Sequence, residues 1–262
     1  EQGTPLADSL GIESDVLYDL EVNPNRPDAM AVAGVARDLA AYQKIPFKIP
    51  VPKVSEKGKD VSEILKAEII SPDLCGRFAV RVIDGISIQD SPQWLKNRIT
   101  ALGMRPVNNV VDVSNYVMLE LGQPSHTFDL GCVTGSEFKV RWAADGEEIV
   151  TLDGVARSLT EQDGVVADGS DLPIGIAGVM GGVSTEISES TSTVALEMAW
   201  WDPTVIAKTS RRLGLRSEAS ARFERGTDPE IIDMAMQRFC ELLGPEAFLS
   251  PGIIDTKGHL PA

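Results

Sequence analysis

The sequence predicts an α+β fold: mixed β-sheets with interleaved helices, preceded by a small strand-plus-helix unit. Two observations carry this. Beyond residue 66, strand-like stretches and capped amphipathic helices interleave without the βαβα rhythm of a doubly wound parallel sheet. Before it, residues 44–63 crowd three prolines among many charges and separate a short N-terminal piece from the rest.

The elements follow in order. "VLYDLEV" (16–22) alternates Val16, Tyr18, Leu20 and Val22, which predicts a strand. The turn "NPNRP" comes next, and Pro27 suits the first helical position. Val32, Val35, Ala36 and Leu39 then recur at helical spacing, predicting a helix with a narrow apolar stripe. The proline-rich stretch reads as an extended linker. The expected organisation is a unit at 1–50, a linker at 51–66 and the main domain at 67–262. Fifty residues are few for an independent core, so the stripe is expected to lie poorly covered unless another surface borrows it.

Strands are predicted at "AEII" (67–70), "RFAVRVI" (77–83), "EFKVRWA" (137–143), "EEIVTL" (147–152), "GVVAD" (164–168) and "STVALEMA" (192–199). Three helices fall between and after them. "SPQWLKNRITALG" has Ser91 as N-cap, Pro92 next and Gly103 as its stop. "DVSNYVMLELG" ends at Gly122, with Asp112, Ser114 and Asn115 in its first turn. "DPEIIDMAMQRFCELLG" has Asp228 as cap, Pro229 behind it, and Ile232, Ala235, Met236, Phe239 and Leu243 on one stripe.

Composition excludes several function classes. The 262 residues can bury a substantial core, and 43% are apolar against 24% charged, as in soluble globular proteins. No apolar run approaches the ~20 residues of a membrane span. The opening "EQGTPLADSLG" has no initiator Met and no charged-then-apolar leader, so the expectation is a piece of a longer, non-secreted polypeptide. Cys75, Cys132 and Cys240 form no pair with metal-ligand or redox spacing. They read as small core hydrophobes in a reducing cytoplasm. A net charge of −15 argues against broad attraction to nucleic acid, so an RNA partner must be gripped locally. One basic run, from Lys208 to Arg225, reads first as a solvated helix face.

Conventional catalytic motifs are absent: there is no HExxH, CxxC, GxSxG or GxxxxGK[ST]. Three features stay open. "GIAGVMGG" gathers Gly175, Gly178, Gly181 and Gly182, either as a tight turn between strands or as backbone that approaches a ligand. "TVALEMAW" puts Glu197 between Ala195 and Ala199 on one strand face, as a pocket floor with one acceptor or as a solvated carboxylate. "GQPSHTFDL" holds His126, one of only two histidines, either for chemistry or as a capping residue in a loop.

Five segments then combine in order: "VNPNRPDAMAVAGVARDLAAY", "VVDVSNYVMLELGQPSHTFD", "PIGIAGVMGGVSTEI", "VALEMAWWDP" and "LRSEASARFERGTDPE". Together they resemble the bacterial phenylalanyl-tRNA synthetase beta-subunit family, in its third and fourth domains with part of the first leading in. The resemblance implies a post-transfer editing module that hydrolyses tyrosine wrongly esterified to the phenylalanine tRNA. Glu197 matches the glutamate that recognises the tyrosine hydroxyl. His126 matches the histidine at the reacting end, and Pro124 its neighbouring wall. Asn115, with Ser114 before it, matches a polar residue holding the amino acid and the attacking water. Arg105 matches an arginine that places the tRNA end, and Gly178 and Gly181 match pocket-lining glycines. Ser217 and Ala219 match small edge residues, Ser217 standing where the family has threonine. Water attacks without a covalent nucleophile, so His126 orients or polarises.

The resemblance also implies the cytoplasm as location and no metal or cofactor in this piece, with ATP and Mg²⁺ used elsewhere in the full enzyme. Its implied partners are the mischarged tRNA end, the alpha subunit and the remaining beta-subunit domains, in an alpha2beta2 heterotetramer, with no membrane. Two rival readings are an architectural module that only holds tRNA and the partner subunit, and a free-standing relative that edits in trans.

Overall fold

The computed structural model describes residues 3, 5 and 16–260. Pro27–Met30 form a 3₁₀ turn, and α1 (Val32–Gln43) follows it. Strands β1 (Lys66–Ile69) and β2 (Cys75–Asp84) precede helices α2 (Gln93–Ala101) and α3 (Asn109–Leu121). Next come β3 (Ser125–Asp129), β4 (Glu137–Trp142), β5 (Glu148–Val150) and β6 (Ala156–Ser158). They are followed by β7 (Gly164–Ala167), β8 (Pro173–Ile176), β9 (Met180–Gly181) and β10 (Thr193–Trp201). Helices α4 (Pro203–Leu213), α5 (Glu218–Phe223) and α6 (Ile232–Leu243) lead to β11 (Phe248–Leu249) and β12 (Ile254–Lys257).

Two five-stranded sheets organise the chain. One has the order β11-β2-β10-β3, with β12 also on β2, and all its pairings are antiparallel. The other has the order β1-β4-β7-β8-β9 and is mixed, since β1 and β4 run parallel. The first sheet is the middle layer. Ala79 and Ile83 of β2, with Val194, Leu196 and Met198 of β10, pack under α2, α3 and α6. Phe78, Val80 and Val82 of β2, with Ala195 and Ala199 of β10, face the second sheet. Period-2 alternation along two strands thus feeds two separate cores. The α+β class is as expected, with one large sheet mixed and the other antiparallel.

Several local expectations fail for identifiable reasons. Residues 17–22 form no strand, and Leu17, Tyr18 and Leu20 are exposed. Alternation defines faces, but a strand also needs an edge to join. The stretch before α1 breaks at Ala31, which adopts an extended conformation, so Pro27 opens a 3₁₀ turn and not the helix. The stripe on α1 is poorly covered, as expected: Val32 and Leu39 are 60% and 53% exposed, while Gly34 and Ala40 are buried. The extended stretch after α1 is held down: Lys53 N donates to Glu241 Oε1, Leu249 N to Ser55 O, and Arg81 pairs with Glu56.

Ser91 caps nothing. Its hydroxyl bonds to the Asp112 carboxylate, and α2 starts without a side-chain cap. α3 begins at Asn109 under the Asn108 cap, which moves Ser114 and Asn115 into the second turn. Cys75 and Cys240 are buried as expected, whereas Cys132 is exposed. The basic run is partly internal: Arg212 pairs with the buried Asp163, and the buried Arg222 pairs with Glu218 while donating to Met30 O.

Candidate active site

β10 sets the geometry of the site. Glu197 projects from it between Ala195 and Ala199 toward the second sheet and is 7% exposed. Directly across the β3–β10 ladder stands His126. It therefore lies on a strand, not in a loop. Residues two apart on a strand face alike, so His126 shares this side with Phe128, whose ring meets it edge-on at 4.5 Å between centroids.

The two side chains border a cavity of about 80 Å³, room for several waters. Pro124, Gly178, Gly181 and Ala219 are also in its wall, as are Trp201 and Phe223. A wider, open depression adjoins it, lined by Arg105, Ser114, Asn115 and Ser217. Pro124, His126, Gly181 and Ala219 border both spaces. All ten residues singled out in the sequence thus line one of two adjoining hollows, Glu197 in the inner one and His126 where they meet.

Local chemistry explains how each is held. Ser114 Oγ reaches Ser125 O at 3.2 Å and Ser125 Oγ at 2.8 Å, fastening α3 to β3 beside His126. Asn115 follows on the same helix, and Arg105 is exposed on the connection between α2 and α3. The glycine cluster forms the tight β8–β9 hairpin, and Gly175, Gly178 and Gly181 of it also line the cavity. Two of its glycines, Gly178 and Gly181, are required by packing. Gly178 has φ +64°, and a Cβ there would press on Trp201 and Ile206, while a Cβ at Gly181 would overlap the His126 ring. Ser217 is first a cap: its Oγ accepts from Ser220 N and donates to Val179 O.

Burial controls the charges. It pushes the Glu197 carboxyl up to about 8 and is the whole cause of that shift. It pushes the His126 imidazole down to about 4. Both groups are therefore predominantly neutral at pH 7. His126 Nε2 is buried with no hydrogen-bond partner among the described residues. Among the described residues no cluster of three or more His, Cys, Asp or Glu could hold a metal ion.

Sequence reasoning missed Trp201 and Phe223. Trp201 stands four residues beyond Glu197 on the same strand face, so the alternation that singled out Glu197 could have found it. Phe223 ends a six-residue helix with no periodic signal of its own.

A family model described as "B3/4 domain" matches residues 74–245. The phenylalanine–tRNA ligase beta subunit of Nitratidesulfovibrio vulgaris is 44% identical over 253 residues, covering 96% of this chain and 32% of that protein. That of Anaeromyxobacter dehalogenans is 46% identical over 252 residues, covering 96% of this chain and 31% of that protein. Among solved structures, an N-terminal fragment of the phenylalanyl-tRNA synthetase beta subunit from Pyrococcus horikoshii aligns with TM-score 0.40 and 13% identity, over 75% of this chain and 59% of that one. The chain spans about a third of the length of the curated relatives it matches. It belongs to the B3/4 domain family, and over nearly its whole length it resembles the beta subunit of phenylalanine–tRNA ligase.

Proposed function

We propose that this chain carries an aminoacyl-ester hydrolase site which removes tyrosine wrongly attached to phenylalanine tRNA, as the editing part of a ligase beta subunit. The observation that carries the reading is the strand register: Glu197, inside the cavity, is directly opposite His126, at the junction with the open depression. A specificity group and a reaction group are thereby one side chain apart.

An apolar pocket built for phenylalanine cannot strongly reject an isostere that adds only a hydroxyl, so a second sieve is needed. Glu197 supplies the reversed logic. Held neutral by burial, its carboxyl can both accept from and donate to a phenol. Phenylalanine in the same cavity would leave that carboxyl dehydrated and unpaired, at a cost of about 1–3 kcal/mol. At the other end, water attacks the ester carbonyl, the bond between the carbonyl carbon and the ribose oxygen breaks, and the proton released by the water passes to that departing oxygen, which leaves as the ribose hydroxyl. Neutral His126 and Asn115 hold this water and the ester, and Arg105 at the rim takes a tRNA phosphate. The rest of the beta subunit and the alpha subunit, in a cytoplasmic alpha2beta2 assembly, would deliver the tRNA end.

The test uses the ligase that contains this chain, with tyrosyl- and phenylalanyl-esterified tRNA. Glu197→Ala is expected to cut the preference for the tyrosyl ester roughly 5- to 150-fold, the equivalent of about 1–3 kcal/mol. His126→Ala is expected to slow both esters in similar proportion. A Glu197→Ala enzyme that loses rate on both esters but keeps its tyrosine preference would overturn the assignment.

A further inference from the structure

β3 meets a chemical obstacle where it enters its sheet. The β3–β10 ladder runs from Asp129 opposite Val194 to Ser125 opposite Met198. One step further in the same register Ala199 faces Pro124, and proline has no N–H to give. Ala199 is fully buried, so its carbonyl has no water to turn to. The donor comes from the side chain of Gln123. Its Nε2 lies 3.1 Å from Ala199 O and 3.0 Å from Pro124 O, so one amide group donates to both segments. Gln123 is 0% exposed, and its Oε1 has no hydrogen-bond partner among the described residues. Keeping half an amide unsatisfied in the interior is costly. What the residue supplies in exchange is that pair of donated bonds.

We infer that Gln123 is a positioning residue: it replaces the missing proline N–H, carries the β3–β10 connection one step past the ladder, and so fixes Pro124 opposite Ala199 and His126 opposite Glu197. The location demands such a device. α3 ends at Gly122 in the left-handed conformation (φ +83°), and Gln123 is the single residue between that stop and Pro124. Without the side-chain bonds, the start of β3 would hang on the ladder only from Ser125 onward. The catalytic consequence rests on the esterase reading; the structural one does not.

The experiment pairs two readouts in the ligase that contains this chain: hydrogen-exchange protection of the β3 amides, and kcat and KM on the tyrosyl ester. Gln123→Leu keeps the bulk and removes both donors. It is expected to lower the protection of β3 and to reduce kcat roughly 10- to 100-fold while KM stays near its original value, as for a displaced reaction group. Pro124→Ala restores a backbone N–H that can donate to Ala199 O. Adding Gln123→Leu to Pro124→Ala should therefore cost much less, in protection and in kcat, than adding it to the parent. If Gln123→Leu alone does not fold, the double variant still should. Unchanged β3 protection in Gln123→Leu, an equal cost with proline or alanine at 124, or a double variant that also fails to fold would each overturn the inference. A parent enzyme that hydrolyses neither ester would instead defeat the esterase reading, leaving the exchange data to decide the role of Gln123.

Discussion

The two faces of β10 carry the same strand to opposite ends. Toward the helices it presents Val194, Leu196 and Met198, all fully buried and packed against α6 and its neighbours. Toward the second sheet it presents Ala195, Glu197 and Ala199, and of these three Glu197 borders the cavity. Interiors pack to near-crystalline density, so an unfilled volume beside a buried carboxyl has to be sustained by rigid surroundings. The helix-covered face supplies that rigidity, and the sheet-covered face uses it. Core packing and the proposed recognition site are thus divided between alternate residues of nine consecutive positions.

The sharpest way to break this division is to injure the packed face. Leu196→Ala removes a fully buried side chain between Ala195 and Glu197 and is expected to cost about 2–5 kcal/mol of folding stability. Its effect on the ratio of tyrosyl- to phenylalanyl-ester hydrolysis should be small, because Leu196 points away from the cavity. Denaturant unfolding and the two hydrolysis rates check both halves. A variant that keeps its stability but loses its ester preference would mean that the faces are not separate.

The next effect depends on pH and belongs to the cavity face alone. Glu197 has a folded value of about 8 against 4.5, so the folded protein holds a proton that the unfolded chain has released. Stability is therefore lost as pH rises from 4.5 to 8. His126 has a folded value of about 4 against 6.5, so here the unfolded chain takes the proton first, and stability is lost as pH falls from 6.5 to 4. Between 4.5 and 6.5 the two slopes nearly cancel. From 6.5 to 8 only Glu197 acts, at about 1.4 kcal/mol per pH unit, a loss of about 2 kcal/mol. Glu197→Gln should remove this decline and be the more stable protein at pH 8. Leu196→Ala should lower the whole curve without changing its slope. Parallel curves for the parent and Glu197→Gln across pH 6.5–8 would contradict a carboxyl held protonated by burial.

The same contrast explains what could be read from the sequence. The faces of β10 were legible residue by residue, because a strand buried on both sides still obeys period 2, and small residues around a carboxylate are a local signal. α6 was legible for the equivalent reason at helical period, with Ile232, Ala235, Met236 and Phe239 buried as the stripe predicts. β3 was not. It opens beside a proline, and its partner strand lies some seventy residues away, so nothing local marks His126 as a strand residue. β8 and β9 were hidden by their glycines, which pack closely but carry little strand propensity. "VLYDLEV" shows the opposite failure, since its alternation is real and the sheet it implies is missing. Local pattern reports which way a side chain points; convergence on a site depends on which strands meet.

The smallest expected effect lies at the seam between the faces. Ser217 was singled out as a pocket-edge residue, yet its hydroxyl already serves two backbone groups: it caps α5 through Ser220 N and donates to Val179 O in the β8–β9 hairpin at 3.2 Å. The cap holds a six-residue helix, too short to persist on its own. The second bond holds the hairpin whose Gly181 packs on His126. Ser217→Ala should therefore cost about 1 kcal/mol of stability, typical of a lost N-cap, and should slow both esters by a similar small factor through the hairpin. Ser217→Thr keeps the hydroxyl and should recover most of both losses. If Ser217 acted on the substrate ring instead, Ser217→Ala would change the tyrosyl-to-phenylalanyl ratio and leave the unfolding midpoint alone. Measuring that ratio and that midpoint on the three proteins decides whether this residue belongs with the packed framework or with the recognition surface.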